Sequence, residues 1–347
     1  MTKIFGDAPE AAWKRLEAGA DKAEIREATG NVVAVNDVSF DVHAGEIFVV
    51  MGLSGSGKST LLRCINRLVE PTRGSVQIDG EEVLDASSDR LRALRRATMS
   101  MVFQNFGLFP HRTVHGNVEY GLEVSGMGGE AREERVQWAL SLVGLEGYAE
   151  SRTTALSGGM QQRVGLARAL ASDPEILLMD EAFSALDPLI RAEMQRELLD
   201  LQTELHRTIV FITHDLDEAL TLGDRIAIMR EGRMVQIGTP QEILLEPAND
   251  YVRSFVQNVD RLQVLSAGAI MTDVPAPPLA SPSKAGDGEE VSSRADPPTV
   301  AADTPLAQVL PQVLKASAPI TVVDADGQCV GVLEQDAVLR EVGRNAG

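Results

Sequence analysis

The chain has 347 residues, about two domains' worth, with 44% hydrophobic and 24% charged side chains, an ordinary globular mix. With 32 basic against 51 acidic side chains the formal charge is −19, and aromatics are only 4%. An acidic surface poor in stacking rings argues against electrostatic tracking of a phosphate backbone, so no nucleic acid partner is expected. A local anion site built from backbone amides stays open, because it needs no net positive charge.

Taken in chain order, Ala8 to Leu16 and Asp21 to Ala28 read as short helices broken at Gly19. From Val32 the period changes. Val33, Val35 and Val38 suggest strand, and Glu46-Ile-Phe-Val-Val-Met51 reads as a buried strand. Ser59 to Leu68 is expected to be helical, Gly74 to Gly80 a strand, and Asp89 to Arg96 a charged helix. Residues 107 to about 155 read as mostly helical, most clearly from Arg132 to Val143. Helix at Leu166–Ala171, strand at Glu175–Met179, helix at Leu189–Leu205, strand at Thr208–Thr213, helix at Leu216–Leu222 and strand at Arg225–Met229 follow. Such alternation predicts an α/β fold with a largely parallel sheet. Eight of the 16 prolines fall between Pro275 and Pro311, and residues 275–298 have little to bury, so they read as a linker. Cys64 and Cys329 lie far apart in apolar stretches, and both are expected to be reduced core thiols. No segment of signal-peptide character and no apolar run near 18 residues is found, which predicts a cytosolic chain that can still dock on a membrane protein.

The chemistry is concentrated in Gly52-Leu-Ser-Gly-Ser-Gly-Lys-Ser59, a Gly-x-x-x-x-Gly-Lys-Ser loop between a strand and a helix. Its glycines, Gly52, Gly55 and Gly57, allow a tight turn whose N–H groups, with those of Ser54, Ser56 and Thr60, face inward around phosphate oxygens. Lys58 reaches the terminal phosphates and the Ser59 hydroxyl a Mg²⁺ ion. The strand Ile176–Met179 delivers Asp180 and Glu181 at its carboxyl end, where open α/β sheets bind ligands. Asp180 is the expected acceptor from metal-bound waters, and Glu181 the group that polarises the attacking water.

Two further segments narrow the reading. Leu156-Ser-Gly-Gly-Met-Gln-Gln-Arg163 resembles the signature sequence of the ATPase subunits of ABC transporters. Taken alone, the segment reads as a serine helix cap with glycine for tight packing. The resemblance implies instead that Ser157, Gly158, Gly159 and Gln161 form a second anion-binding surface, which in that family closes over the ATP of the other subunit of a dimer. Gln104 resembles the family's glutamine that senses the γ-phosphate and Mg²⁺ and leads into a helical subdomain spanning about 104–156. Ser184-Ala-Leu-Asp187 resembles the loop at the dimer seam, with Asp187 either coupling the two sites or capping the helix before Pro188. His214 resembles the switch histidine that contacts the γ-phosphate and orients water and Glu181. Arg163 and Arg168 are expected to be structural. The resemblance thus implies an ABC cassette over residues 29–250 that binds ATP and Mg²⁺ and works as a homodimer. Phe103 to Pro110, with three phenylalanines, falls in the family's docking region for membrane-spanning partners. The family's base-stacking aromatic is absent: Thr29 or Gly30 holds that place, leaving Phe5 or Trp13 as substitutes.

The N-terminal extension (residues 1–28 in the domain division), from Lys3–Gly6 through Ile25–Gly30, with Met51 to Gly57 and Asn66 to Gly74, resembles the ATPase subunit of bacterial importers for quaternary amines such as glycine betaine, choline and proline betaine. That resemblance implies two integral-membrane permease subunits, a periplasmic or lipid-anchored solute-binding protein, osmoprotective uptake, and a peripheral position on the cytoplasmic face of the inner membrane. Amino-acid (methionine-type), oligopeptide and phosphonate importers share the chemistry and stay open as alternatives. Soluble ABC proteins of translation or DNA repair fit less well, since they carry two cassettes or a long coiled coil. Within 251–347, Ile270–Asp273, Pro305–Leu310, Ile320–Leu333 and a helix from Asp336 resemble a single CBS repeat over about 266–341. It is interrupted by the proline-rich insertion. Ionic-strength sensing, nucleotide sensing and plain dimerisation are all open for this small α+β module.

Overall fold

The computed structural model describes residues 1–104, 107–257, 259–273, 298–316 and 318–345. The proline-rich stretch at 275–298 lies outside the described residues apart from Pro298, as do Asn105 and Phe106 of the phenylalanine cluster. The chain folds as two compact units, Met1–Pro240 and Gln241–Gly347.

The first unit runs β1 (Lys3–Phe5), α1 (Pro9–Glu17), α2 (Lys22–Thr29), β2 (Val32–Val35), β3 (Ile47–Met51), α3 (Lys58–Ile65), β4 (Gln77–Ile78), β5 (Glu81–Glu82), α4 (Ser88–Ala97) and β6 (Met99–Val102). It continues with α5 (Val114–Val124), α6 (Gly129–Leu142), α7 (Gly158–Ala171), β7 (Ile176–Asp180), α8 (Pro188–Leu205), β8 (Thr208–Thr213), α9 (Leu216–Leu222), β9 (Arg225–Arg230) and β10 (Arg233–Gly238). Six strands form the main sheet in the order β10-β9-β3-β8-β7-β6. Five of them are parallel, and β10 returns antiparallel along β9. Strand β3, Ile-Phe-Val-Val-Met, is buried along its whole length because helices cover both faces, so its sequence is continuously apolar rather than alternating. Phe48, Val50, Leu61, Leu62, Leu178, Val210, Ile212 and Met229 make the core beneath the phosphate loop.

Several helices start where the sequence supplies a cap. Asp21 and Glu24 form a reciprocal capping box on α2, while Thr113, Ser157 and Asp187 accept from backbone N–H groups of α5, α7 and α8. Helices α5 and α6 pack against α7, which also touches β6. The parallel order matters for function: β3, β8, β7 and β6 are neighbours, so whatever follows their carboxyl ends is gathered in one place.

Four local expectations are corrected. Lys3–Phe5 forms a strand pairing antiparallel with β2, which the composition of three residues did not announce. Gly74 to Gly80 holds only Gln77–Ile78 as strand, in a two-residue ladder with Glu81–Glu82. The helix after the phosphate loop stops at Ile65 instead of Leu68, since Arg67 takes a left-handed φ of 57°. Cys64 is buried, whereas Cys329 is exposed because it opens a strand just after a turn.

The second unit contains α10 (Pro240–Leu245) from its second residue onward, α11 (Asp250–Val256), α12 (Arg261–Val264), α13 (Ala267–Ile270), β11 (Thr272–Asp273), β12 (Thr299–Ala301), α14 (Leu306–Val313), β13 (Ile320–Val323), β14 (Cys329–Leu333) and α15 (Gln335–Asn345). Its sheet has the order β11-β14-β13-β12. The β13–β14 hairpin turns at Asp324, whose Oδ1 accepts from the N–H groups of Asp326 and Gln328. Ile320, Val322 and Leu333 of the sheet and Leu306, Val309, Val313 and Val338 of the helices form its core.

Candidate active site

The loop after β3 is shaped for an anion. Gly52, Gly55 and Gly57 have φ of 153°, 79° and 102°, in the region that favours glycine. At Gly57 a Cβ would sit 2.3 Å from the Ala34 carbonyl oxygen, so no other residue fits. Gly57 leads into α3, whose first turn has no side-chain cap, leaving N–H groups at Lys58, Ser59 and Thr60 available to a ligand. Ser54 and Gly55 are exposed at the rim, while Ser59 and Thr60 are half-buried. The Ser56 hydroxyl is buried without a partner among the described residues.

Lys58 is 4% exposed. Its Nζ donates to the carbonyl oxygens of Gly52 at 2.8 Å and Leu53 at 3.2 Å, and it stands 3.8 Å from Glu181 Oε1. Burial pushes this ammonium below the ordinary lysine value of 10.5, with Glu181 and Asp180 pulling the other way. Phosphate oxygens would replace those weak neutral acceptors with charged ones.

Glu181 is the hub. It takes a left-handed φ of 46° at the end of β7, and its N–H donates to Ile212 O, which fixes the backbone against β8. Oε2 lies 3.1 Å from His214 Nδ1 and accepts from Gln104 Nε2 at 3.2 Å. Thus the ends of β6, β7 and β8 and the loop after β3 meet at one carboxylate. Asp180 beside it is 2% exposed; its Oδ2 accepts from Arg63 at 3.1 Å, while its Oδ1 is buried with no partner among the described residues. An orphaned carboxylate oxygen beside a lysine-bearing anion loop suits a metal-bound water, which satisfies it without a second protein donor. Among the described residues no three His, Cys, Asp or Glu side chains cluster as a metal cage. A divalent ion here would therefore be held chiefly by phosphate oxygens and water, with Ser59, Gln104 and Asp180 completing the set.

The signature segment is built differently. Ser157 and Gly158 are exposed, and the Ser157 hydroxyl accepts from Met160 N at 3.4 Å as the α7 cap. Gly159 is buried: a Cβ there would lie 2.5 Å from Ile190 Cγ2, so its smallness lets α7 approach α8. Gln161 spends its amide nitrogen on Thr153 O at 3.0 Å and Leu156 O at 3.3 Å. Asp187 Oδ1 accepts from Leu189 N and Ile190 N, the capping alternative of the two read from the sequence. None of these residues shares a hydrogen bond with Lys58 or Glu181 among the described residues, so the signature segment stands apart from the phosphate loop and its carboxylate. Arg163 pairs with Glu193 and Glu197, and Arg168 donates to Gly107 O.

Of the two substitutes for a base-stacking ring, Trp13 packs on the Ile4–Ala12–Ile25–Val33 cluster, whereas Phe5 is exposed with Lys3 Nζ over its ring. Thr29 spends its hydroxyl on Ile25 O. Arg63, which steadies Asp180, belongs to no contiguous motif, and a basic residue one helical turn past the loop is its only signal in the sequence. Ser184, read from the sequence only as part of the seam loop, donates its hydroxyl to Glu181 O at 2.9 Å. A cavity of about 940 Å³ lined by Phe40, Val42, Glu175, Ile176 and His206 lies at the amino ends of β7 and β8, away from this chemistry.

Comparison with known proteins agrees with this geometry. The model for the ABC transporter family matches residues 35–184. The chain is 47% identical over 384 residues to the glycine betaine/carnitine transport ATP-binding protein GbuA of Listeria monocytogenes, covering 99% of this chain and 96% of that protein. It is 48% identical to the glycine betaine/proline betaine transport system ATP-binding protein ProV of Escherichia coli, at 99% and 96% coverage. It is 45% identical to the trimethylamine N-oxide transport system ATP-binding protein TmoW of Ruegeria pomeroyi, at 97% and 94%. Among solved structures, the dimeric structure of MJ0796, a bacterial ABC transporter cassette, aligns with a TM-score of 0.58 at 34% identity, over 69% of this chain and 96% of that one. A dimeric post-hydrolysis state of the same cassette bound to ADP and Pi aligns equally well. With a nucleotide cradle, a carboxylate hub and relatives matched over nearly their full length, the chain is an ABC ATPase and belongs to the family of ATP-binding subunits of quaternary-amine ABC transporters.

Proposed function

We propose that this chain hydrolyses ATP to drive uptake of a quaternary or fully methylated amine, with glycine betaine, proline betaine and choline as the substrate class. The observation that carries the catalytic half is the Glu181 carboxylate held between Lys58, His214 and Gln104. The substrate half is supported by the names of relatives that this chain matches almost end to end.

In this reading two copies face head to tail, and the Ser157–Gly158 surface of one covers the triphosphate in the cradle of the other. The dimeric form of the related cassette supports it. Lys58 and the first-turn N–H groups of α3 bind and orient the phosphates. Glu181 draws a proton from the attacking water while His214 and Gln104 hold its carboxylate in place. Mg²⁺, when bound with the nucleotide, neutralises charge on the terminal phosphates. Phosphate release removes the anion shared by the two surfaces, and the copies part.

The same reading places the dimer on two membrane-embedded permease subunits served by a periplasmic or lipid-anchored solute-binding protein, at the cytoplasmic face of the inner membrane. No helix among the described residues is long and apolar enough to cross a membrane, which is compatible with a peripheral subunit. Half-exposed Phe103, and Phe109 stacked edge-on against Tyr120, supply apolar surface near Gln104 for permease contact. We assign residues 1–28 to a helical extension, 29–250 to the cassette and 251–347 to a tail with a single CBS-like repeat. The mixed sheet with helices α14 and α15 in the second unit supports that last assignment.

The test is uptake of radiolabelled glycine betaine, proline betaine, choline and methionine by a strain lacking this chain, with and without a plasmid copy. Restored uptake of the first three is expected. Restoration of methionine uptake alone would overturn the substrate class.

A further inference from the structure

Helix α8 carries a side chain that no part of the mechanism above uses. Arg191 lies in its first turn and reaches two loops at once. One guanidinium nitrogen donates to Asp215 Oδ2 at 3.1 Å, and the other to the Leu186 carbonyl oxygen at 3.2 Å. Its third nitrogen, Nε, is buried with no partner among the described residues. A guanidinium is a rigid planar fork, so two acceptors held by its two ends keep a set separation.

Each acceptor belongs to a different surface. Leu186 sits in the segment before α8, and its Cδ2 lies 3.8 Å from where a Cβ of Gly158 would be; the next residue of the signature, Gly159, is packed on Ile190, directly before Arg191. Whatever displaces the Ser157–Gly159 surface therefore presses on both sides of Arg191. Asp215 is the neighbour of His214, the ligand of Glu181. Its carboxylate is fully committed: Oδ1 accepts from Glu218 N to cap α9, and Oδ2 takes Arg191. Its N–H donates to Thr213 Oγ1 at 2.9 Å, which closes a turn around His214.

We infer that Arg191 is a positioning residue that links, within one chain, the signature surface to the His214–Glu181 pair, so that nucleotide on one surface alters the geometry at the other. The inference rests on the proposed two-site dimer and extends it: the signature surface serves the partner's nucleotide, hence the link makes the two sites of a dimer respond to each other. Coupling between two sites is a free energy, read as cooperativity.

The experiment compares the wild type with Arg191→Lys, Arg191→Ala and Asp215→Asn. Lys keeps a charge for Asp215 but cannot reach both acceptors, and Asn keeps the α9 cap while discarding the ion pair. ATP hydrolysis is expected to show a Hill coefficient above about 1.5 in the wild type and about 1 in all three variants, since two coupled sites allow at most 2. Equilibrium binding of a fluorescent ATP analogue should stay within about twofold, because neither residue touches the cradle. A second reading is independent of turnover. In a Glu181→Gln background, ATP should slow amide hydrogen exchange in both 182–187 and 213–219, whereas adding Arg191→Ala should leave protection only in 182–187. A wild-type Hill coefficient of 1, unchanged cooperativity in the Lys and Asn variants, or equal protection of both segments without Arg191 would each overturn the link. If ATP protects neither segment even with Arg191 present, the two-site reading itself fails and takes the link with it.

Discussion

Replacing Glu181 with glutamine is expected to separate binding from hydrolysis at this site. The carboxylate receives Gln104 Nε2 and faces His214 Nδ1 through the same oxygen, while its other oxygen stands 3.8 Å from Lys58. Glutamine is nearly isosteric and its carbonyl oxygen can keep the Gln104 bond, so the local geometry survives. It cannot accept a proton from water. Loss of a positioned base costs about 10²–10⁴ in rate, which is roughly 3–5 kcal/mol in the barrier. Binding moves the other way. Lys58 loses a competing anion, so its ammonium turns more readily to phosphate, and affinity for ATP should be unchanged or up to about threefold tighter. The assay is single-turnover hydrolysis of radiolabelled ATP alongside light scattering, which should show a lasting dimer with ATP in the Gln variant. Turnover at the wild-type rate by Glu181→Gln would refute the role given to this carboxylate, and a tenfold loss of affinity would show that Glu181 shapes the cradle instead.

Lys58 is held below its ordinary value of 10.5 by burial. In the nucleotide-free protein it therefore releases its proton at lower pH than an unfolded lysine does. The unfolded chain binds more protons in the window just below 10.5, and this residue's contribution to stability rises with pH there. ATP affinity should fall over that same window, as read by fluorescent-analogue titration, and a Lys58→Arg variant should show a flatter profile. Gly159→Ala places a methyl 2.5 Å from Ile190 Cγ2 and should destabilise the chain by about 1–3 kcal/mol in thermal melts. Ile190→Ala removes that Cγ2 methyl, so the double variant should lose less stability than the sum of the two single variants. Burial raises the Cys64 thiol to about 11, whereas Cys329 is exposed. A thiol-specific chromogenic reagent at pH 8 should titrate one thiol per native chain and two after denaturation in guanidinium chloride.

The parts of the site that were legible in the sequence are those where chemistry and backbone conformation are written contiguously. Gly52 to Ser59 states both the turn and the cation, and Asp180–Glu181 follow an apolar strand whose carboxyl end must face a ligand crevice. Alternation of buried strands and capped helices carried the parallel sheet. What stayed hidden depends on which neighbours meet. Gly159 reads either as an exposed amide at a helix start or as a glycine for tight packing, and the approach of Ile190 decides for packing. Arg63 and Arg191 look like solvated helical cations until Asp180 and Asp215 are brought to them from 117 and 24 positions away. The three residues of β1 are too few to show a period, and their pairing is set by β2 some thirty positions later. Cys329 sits among apolar residues in sequence yet opens its strand on the outer side.

The hairpin joining β9 to β10 gives the phosphate loop a backstop. Gly232 at its tip donates to Ser56 O at 2.8 Å, its own carbonyl oxygen takes Asn36 N at 2.7 Å, and a Cβ there would strike the Ala34 carbonyl oxygen at 2.6 Å. The floor under Ser56 and Gly57 is thus braced by chain segments that never touch a phosphate. A loop supported from behind keeps its curvature without an anion, so a nucleotide would meet a finished socket, and in the proposed dimer its binding energy would go into drawing the two copies together.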